Sequence, residues 1–560
     1  MNSFVDPVTL EVLRNAFAMV AEEMSANLVR TSYSPNIKER KDSSCALFDP
    51  CGALIAQAEN IPVHLGAMPR AVESVLKEFD LDQLSPGDAI IHNDPYEGGV
   101  HLPDITLVSP AYESGGEIIG FVANRAHHAD VGGAYSGSLS AKSKSIFAEG
   151  LQIPPVKLVE EGEVKDDILR FILSNVRTPA EREGDLRAQV AANFTGRKRL
   201  QEIVAEHGRD KILGVYDDVV RYSEKRMRKR IGELPEGLYG AADYLDGDGR
   251  GNEDLKIEVE LKIEEDSISV DFDGTSVQVE GPVNAPIAVT ESATYYSLRA
   301  ATDPSIPPNQ GCYRPIDINV PERSMLNPAK PAPVVGGNLE TSQRIVDVLF
   351  AALAGAEIPS IPAGSSGSMN NVTFGSAGDA PGNTYTFYET IGGGYGARPD
   401  KDGVDGIHCH MTNTRNTPIE VIEENYPLRV ERYELRRDSG GAGKYRGGLG
   451  IRRDIRTLTD GTEFSLLADR RRYKPRGLHG GAPGKSGEDK LIRRDTEKSI
   501  EGKVVMELEK GDMISVRTPG AGGYGDPEER KTEKIKEDLR EDRISKGKAK
   551  KDYPQYRKIS

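Results

Sequence analysis

HNDPYEGGVHLPDITLVSPAYESGGEIIGFVANRAHHADVGG (92–133) decides the fold. ITLVSPAY (105–112) and EIIGFVANRA (117–126) read as two strands closed into a hairpin around Ser114-Gly115-Gly116. Upstream, GDAIIHNDP (87–95) is an apolar strand running into a polar turn, and CALFDPCGALIAQ (45–57) reads as two short strands joined at Asp49–Gly52. Helices flank these strands. Asp6 suits an N-cap and Pro7 the first helical position, and Leu10, Leu13, Phe17, Val20, Met24 and Leu28 recur at helical spacing until Ser34-Pro35 ends the run. A second helix is expected around 67–79, and residues 165–232 are charged and helix-rich. Downstream, DLKIEVELKIEEDSISVDFDGTS (254–276) alternates as half-buried strands do, a helix covers 340–355, and from about 370 the chain is Gly-rich and strand-like. The expected class is a multidomain α+β fold with a helical and mixed-sheet N-terminal part and a strand-rich C-terminal part. Its expected divisions are a metal-site domain (1–210), a mixed α/β middle domain (211–415) and a strand-rich domain with a charged helical tail (416–560).

Composition narrows the functions. A chain of 560 residues is too long for one core. With 37% hydrophobic and 29% charged residues it is not a disordered chain. A net charge of −16 argues against a non-specific nucleic-acid binder, which needs a positive field. No apolar run approaches the roughly 20 residues that span a bilayer, and MNSFVDPVTLEVL lacks the basic and apolar regions of a secretory signal. Cys45, Cys51, Cys312 and Cys409 form no CxxC pair, so neither a disulfide framework nor a zinc knuckle is indicated. A cytoplasmic protein without nucleic-acid or membrane partners is expected.

Of nine histidines, five fall between 64 and 128: His64, His92, His101, His127 and His128. Asp42, Asp94, Asp104 and Asp130 accompany them. In His101-Leu102-Pro103-Asp104, a turn at Leu102-Pro103 would bring imidazole and carboxylate together. His127 shares the parity of Phe121, Ala123 and Arg125, and His128 that of Val122, Asn124 and Ala126; only one can face a given metal, and parity does not choose. Mixed His/Asp ligation suits one divalent Mn, Fe or Zn, with a position open to water. Against this stands a structural reading, since His–Asp pairs are also common hydrogen-bonded pairs. Asp94 and Asp130 sit in turn sequences, and His64 and His92 are expected to be satisfied structural histidines. A second cluster, HCHMTNTRNTPIE (408–420), puts His408 and His410 on one face of an extended segment and Cys409 on the other; a hydrogen-bonded strand packed on a neighbouring domain is the favoured reading. GGAPGKS (480–486) is not a phosphate loop, because His479 stands where the pattern needs Gly. GGAGKYRGG (440–448) and PGAGGYGDP (519–527) read as tight turns. No ATP site of its own is recognisable.

Several segments together carry a resemblance: ERKDSSCALFDPCGALIAQAENIPVHLGAM (39–68), HNDPYEGGVHLPDITLVSP (92–110), NRAHHADVGG (124–133), AEGLQIPPVKL (148–158), PPNQGCYRPIDINVP (307–321), TNTRNTPIEVIE (412–423) and PGAGGYGDP (519–527). They run nearly end to end and resemble the hydantoinase B family, the B subunits of ATP-dependent N-methylhydantoinases and 5-oxoprolinases. The metal-bearing subunit of acetone carboxylases and the C-terminal half of eukaryotic 5-oxoprolinase are also in that family. The resemblance implies a hetero-oligomer. A partner ATPase of hydantoinase A type, with an actin-like fold, binds ATP and phosphorylates an amide or lactam oxygen; the B subunit hydrolyses the activated ring with a metal. It implies His101 and Asp104 of HLPD, His127 of AHHAD and Asp42 of ERKD as metal ligands. His128 is left for acid/base chemistry or substrate binding, and Glu149 of AEGL for a supporting, capping or turn role. The alternative is the metal-bearing subunit of an ATP-dependent, acetone-carboxylase-like enzyme, for which the chain is short.

Overall fold

Antiparallel pairing of the hairpin with its neighbours builds the sheet that carries the site. The computed structural model describes residues 5–58, 60–376, 384–494 and 496–557. Strands β1 (Ser43–Phe48), β2 (Leu54–Gln57), β3 (Ala89–His92), β4 (Asp104–Tyr112), β5 (Ile118–His127), β6 (Val156–Glu160) and β7 (Glu163–Val164) form one sheet in the order β2-β1-β5-β4-β3-β6-β7. Every pairing in it is antiparallel. The hairpin and the 45–57 strands therefore form as read.

Both faces of this sheet are covered, so its central strands are buried throughout. On one face Cys45, Leu47, Val122 and Ala126 pack against Leu13, Phe17, Val20, Met24 and Leu28 of the helix Pro7–Thr31, and against the helices Pro179–His207 and Arg209–Ile231. Asp6 caps the first helix through the amides of Val8 and Thr9, both at 3.1 Å. Gly196 permits the close crossing of two of these helices: a Cβ there would lie 2.3 Å from Met24 Sδ. On the other face Ala46, Phe48, Val108, Phe121 and Ala123 join the largest core. That core continues through the half-buried strand Glu253–Glu264 and the helix Ser342–Gly355 as far as Leu467.

A second sheet has the order Ile316–Asn319, Ser267–Asp271, Glu253–Glu264, Gly237–Gly247. Two further sheets fill the C-terminal part, and one of them brings Tyr385–Glu389 beside Asn371–Ser376. The glycine segments do more than turn. Gly441 N bonds Ala521 O (2.8 Å), Ala482 N bonds Ala442 O (2.7 Å) and Gly523 N bonds Ala482 O (2.9 Å), so three distant stretches pair main chain to main chain. Among the described residues no helix is long and apolar enough to cross a membrane.

The end of the first helix is fixed by a buried carboxylate. Asp185 Oδ1 accepts the amides of Tyr33 (2.8 Å) and Ser34 (3.0 Å), and Oδ2 meets Arg182 at 3.2 Å. Asp185→Ala should lower stability by about 3 kcal/mol, since it orphans two amides and removes one of the two carboxylates that neutralise the buried Arg182. Urea denaturation checks this, with Asp185→Asn as the milder control. An unchanged midpoint in the alanine variant would contradict the assignment.

Candidate metal centre

The register of β4 against β5 sets Asp104 directly opposite His127. Just before β4, Asp104 N bonds His101 O at 3.0 Å, closing the Leu102-Pro103 turn. That turn lays His101 Nε2 3.0 Å from Asp104 Oδ2. One ligand atom each from His101, Asp104 and His127 lies within 4.8 Å of the others, and all three residues are buried. His101 and His127 meet edge to face, with ring centroids 5.0 Å apart.

Parity along β5 becomes decisive once both faces are known. His127 follows Phe121, Ala123 and Arg125 toward the central core. His128 follows Val122, Asn124 and Ala126 toward the helix Pro179–His207, where its Nε2 lies 2.9 Å from Gln189 Oε1. Burial first, then Arg182, holds the His128 ring down at about 4, so it is neutral there. Asp42 is buried just ahead of β1. Its carboxylate lies 3.7 Å from Arg40, its main-chain oxygen accepts the His127 amide at 3.0 Å, and it is not among the three residues whose ligand atoms lie within 4.8 Å of one another.

The donor set fits a cation. Both ring nitrogens of His101, Nε2 of His127 and Oδ1 of Asp104 are buried with no partner in hydrogen-bonding geometry. Buried polar atoms are rarely left so, and atoms sharing one ion at about 2.1 Å from it lie roughly 3 Å apart. Burial alone would raise the Asp104 carboxyl, but His101 and His64 overcome it and hold it well below the usual range. Burial keeps His127 neutral, as a ligand must be.

Other side chains hold these in place. Asn36 Nδ2 lies 2.9 Å from His127 Nδ1 and 2.8 Å from its carbonyl. Arg40 donates to Asn36 Oδ1, which keeps the amide nitrogen turned toward the His127 ring and carbonyl. Tyr388 stacks on His127 with ring centroids 4.7 Å apart. The Arg40 guanidinium lies 4.8 Å from the centre of the Tyr388 ring while bonding Asn36, Tyr388 O and Thr390. His64 Nε2 lies 3.3 Å from Asp104 Oδ2, and Asn338 Nδ2 reaches the same oxygen at 3.3 Å.

His64 is a satisfied histidine, as expected: Nδ1 lies 3.3 Å from Ser44 Oγ, and the short helix Pro62–Leu65 carries Nε2 to Asp104. Two other expectations need correction. His92 has no hydrogen-bond partner on either nitrogen. Asp130 is the turn former expected, accepting the amides of Gly132 and Gly137. The 408–410 alternation fails because His410 takes a left-handed backbone (φ +54°). Its ring sits among Phe350, Tyr395 and Tyr296, and neither histidine of that cluster makes a ring hydrogen bond. Asn36, Asn338 and Tyr388 escaped sequence reasoning. They lie in no periodic or metal-spaced pattern.

The sequence of residues 6–527 matches the family described as Hydantoinase B/oxoprolinase. The chain belongs to the hydantoinase B/oxoprolinase family. Within it, the chain is 36% identical to the B subunit of a putative D-/L-hydantoinase from a Pseudomonas species, over 97% of this chain and 94% of that one. It is 40% identical to 5-oxoprolinase 1 of Arabidopsis thaliana over 93% of its length, but covers only 42% of that longer protein. The crystal structure of an ATP-dependent caprolactamase from Pseudomonas jessenii superposes with a TM-score of 0.90 at 30% identity, covering 98% of this chain and 96% of that one. The multidomain α+β architecture is thus shared with that solved structure.

Glu149 lies apart from the trio. Its carboxylate accepts the amides of Val334 (3.0 Å) and Val335 (3.1 Å), and burial, opposed by those amides, pushes its carboxyl up to about 8. With an ordinary value of 4.5, the folded protein keeps a proton that the unfolded chain has lost between those limits. This contribution to stability is full below about pH 4.5 and is lost as pH rises through 8. Glu149→Gln should flatten the fall in denaturation midpoint from pH 5 to 8; an identical slope in both proteins would contradict it.

Proposed function

We propose that this chain is the hydrolytic B subunit of an ATP-dependent cyclic amidase of hydantoinase or 5-oxoprolinase type. The carrying observation is the set of unpartnered donor atoms on His101, Asp104 and His127 inside a closely packed core. These three would hold one divalent Mn, Zn or Fe, with Asp42 as the neighbouring carboxylate available for a fourth position. When bound, such a cation polarises an amide oxygen and acidifies water.

The chain's own residues do the rest. Asn36 and Arg40 fix the plane of the His127 ring. His64 and Asn338 fix the Asp104 carboxylate from two sides, and Tyr388 closes off the His127 ring from solvent. We assign His128 and Glu149 to support: His128 ties β5 to the helix above it, and Glu149 ties down the segment that leads to Asn338.

An unstrained amide is a poor electrophile, and phosphorylation of its oxygen creates a good leaving group. That step belongs to a partner ATPase of hydantoinase A type. The Pseudomonas relative, named as one component of a hydantoinase, supports a hetero-oligomer. The remaining length of the longer 5-oxoprolinase relative is what a fused A-type half would occupy. Four free cysteines, three of them buried, suit the cytoplasm, where we place the complex.

His101→Ala should lose the metal by elemental analysis, and ring opening by the complex should fall by more than about a hundredfold. A variant that is fully loaded and fully active refutes the assignment. The isolated chain should hydrolyse no ATP; robust turnover by it alone would contradict the division of labour.

A further inference from the structure

His101, Asp104 and His127 all belong to the N-terminal sheet or the turn beside it, yet the ring stacked on His127 comes from another sheet. There the strand Tyr385–Glu389 pairs antiparallel with Asn371–Ser376, which pairs in turn with Thr462–Leu467. Thr373 stands opposite Tyr388, so Asn371, Thr373 and Gly375 share the face that Tyr388 presents. That face meets the N-terminal part closely. A Cβ on Gly375 would lie 2.4 Å from Ser136 Cβ, and one on Gly137 would lie 2.5 Å from Thr373 Cγ2. Arg40 crosses the same seam to reach Tyr388 O and Thr390 Oγ1.

A ring held only by stacking can still tilt and slide, and here one bond at its far end opposes both. The Tyr388 hydroxyl donates to Asn371 Oδ1 at 3.0 Å. The direction of that amide is settled by its other partners. Its Nδ2 donates to Leu467 O and to Glu340 Oε1, both at 2.9 Å, and a main-chain carbonyl can only accept. The amide oxygen therefore faces the hydroxyl. Glu340 is held in turn, because Oε1 also accepts the Met369 amide at 3.0 Å. It belongs to a single π-helical turn, Gly337–Thr341, wedged so tightly that a Cβ on Gly337 would lie 1.8 Å from Asn284 O. Such turns re-aim side chains and recur at functional sites. The line from Glu340 through Asn371 and Tyr388 ends on the His127 imidazole, with the two ring planes 12° apart. Glu340, Asn371 and Tyr388 are all buried, so water does not compete for these bonds.

We propose that Asn371 is a positioning residue of the metal centre, fixing the tilt of the His127 ring through the Tyr388 hydroxyl. The inference rests on the metal reading above. It adds that the C-terminal sheet sets the affinity of a site whose ligands it does not supply. The lone pair of an imidazole nitrogen lies in the ring plane, so a tilted ring holds a cation less well. Ligands must be kept within about 10–20° of their productive direction by neighbours that are themselves locked.

The test is a double-mutant cycle on Mn(II) affinity of the full-length chain, read from the electron paramagnetic resonance signal of the free ion. Tyr388→Phe keeps the stacked ring and removes only the hydroxyl. It should weaken Mn(II) binding by about tenfold, as should Asn371→Ala. Because the two act in series, the double variant should bind no more weakly than Asn371→Ala alone. With saturating Co(II), the visible absorption bands, which report ligand geometry, should move in Tyr388→Phe. Wild-type affinity in Tyr388→Phe overturns the proposal, and that variant decides the matter even if Asn371→Ala does not fold. A weaker affinity with the bands unmoved overturns it too, as does an additive loss of about a hundredfold in the double variant. A wild-type chain that takes up no Mn overturns the metal reading, and this inference with it.

Discussion

Pairing of Asp104 with His127 across β4 and β5 is the constraint on which the rest depends. A slip of one residue would flip every side chain of a strand to the other face. Here both faces are packed, so a slip would drive Arg125 and His127 into the helical layer and Val122 and Ala126 into the central core. The different packing partners of the two faces of β5 thus hold the register that brings imidazole and carboxylate together. The site inherits its geometry from hydrophobic packing, and the Leu102-Pro103 turn adds the second imidazole.

Such a site is costly to keep in a folded protein. Several polar atoms with no hydrogen-bond partner lie in a buried core. Each would be tolerated poorly in isolation. Their convergence on one small region is what separates this cluster from ordinary buried histidines. Arg40 concentrates several roles in the same way: one fully buried guanidinium orders Asn36, Tyr388 and Thr390 and also faces Asp42.

Much of this was legible in the sequence. Period-two alternation marked the strand Glu253–Glu264 and 3.6-residue spacing the first helix, because burial of one face dictates the pattern, while the β4–β5 hairpin, buried on both faces, was marked by two apolar runs around Ser114-Gly115-Gly116. The HLPD turn was readable because proline removes a donor and bends the chain. The choice between His127 and His128 was not, since parity needs knowledge of which face packs against what. His64 was read as a satisfied histidine, and only the fold shows that Asp104 is one of its partners. Asn338 and Tyr388 lie more than two hundred residues from the triad they serve, and only the fold brings them there. His410 defeated the alternation argument through a left-handed backbone that no pattern announces.

Anomalous X-ray diffraction from crystals grown with Mn(II), collected either side of the manganese edge, would show whether the trio holds a cation. A single strong peak is expected between His101, Asp104 and the Nε2 atom of His127. A peak elsewhere, or none with the three side chains ordered, would contradict it.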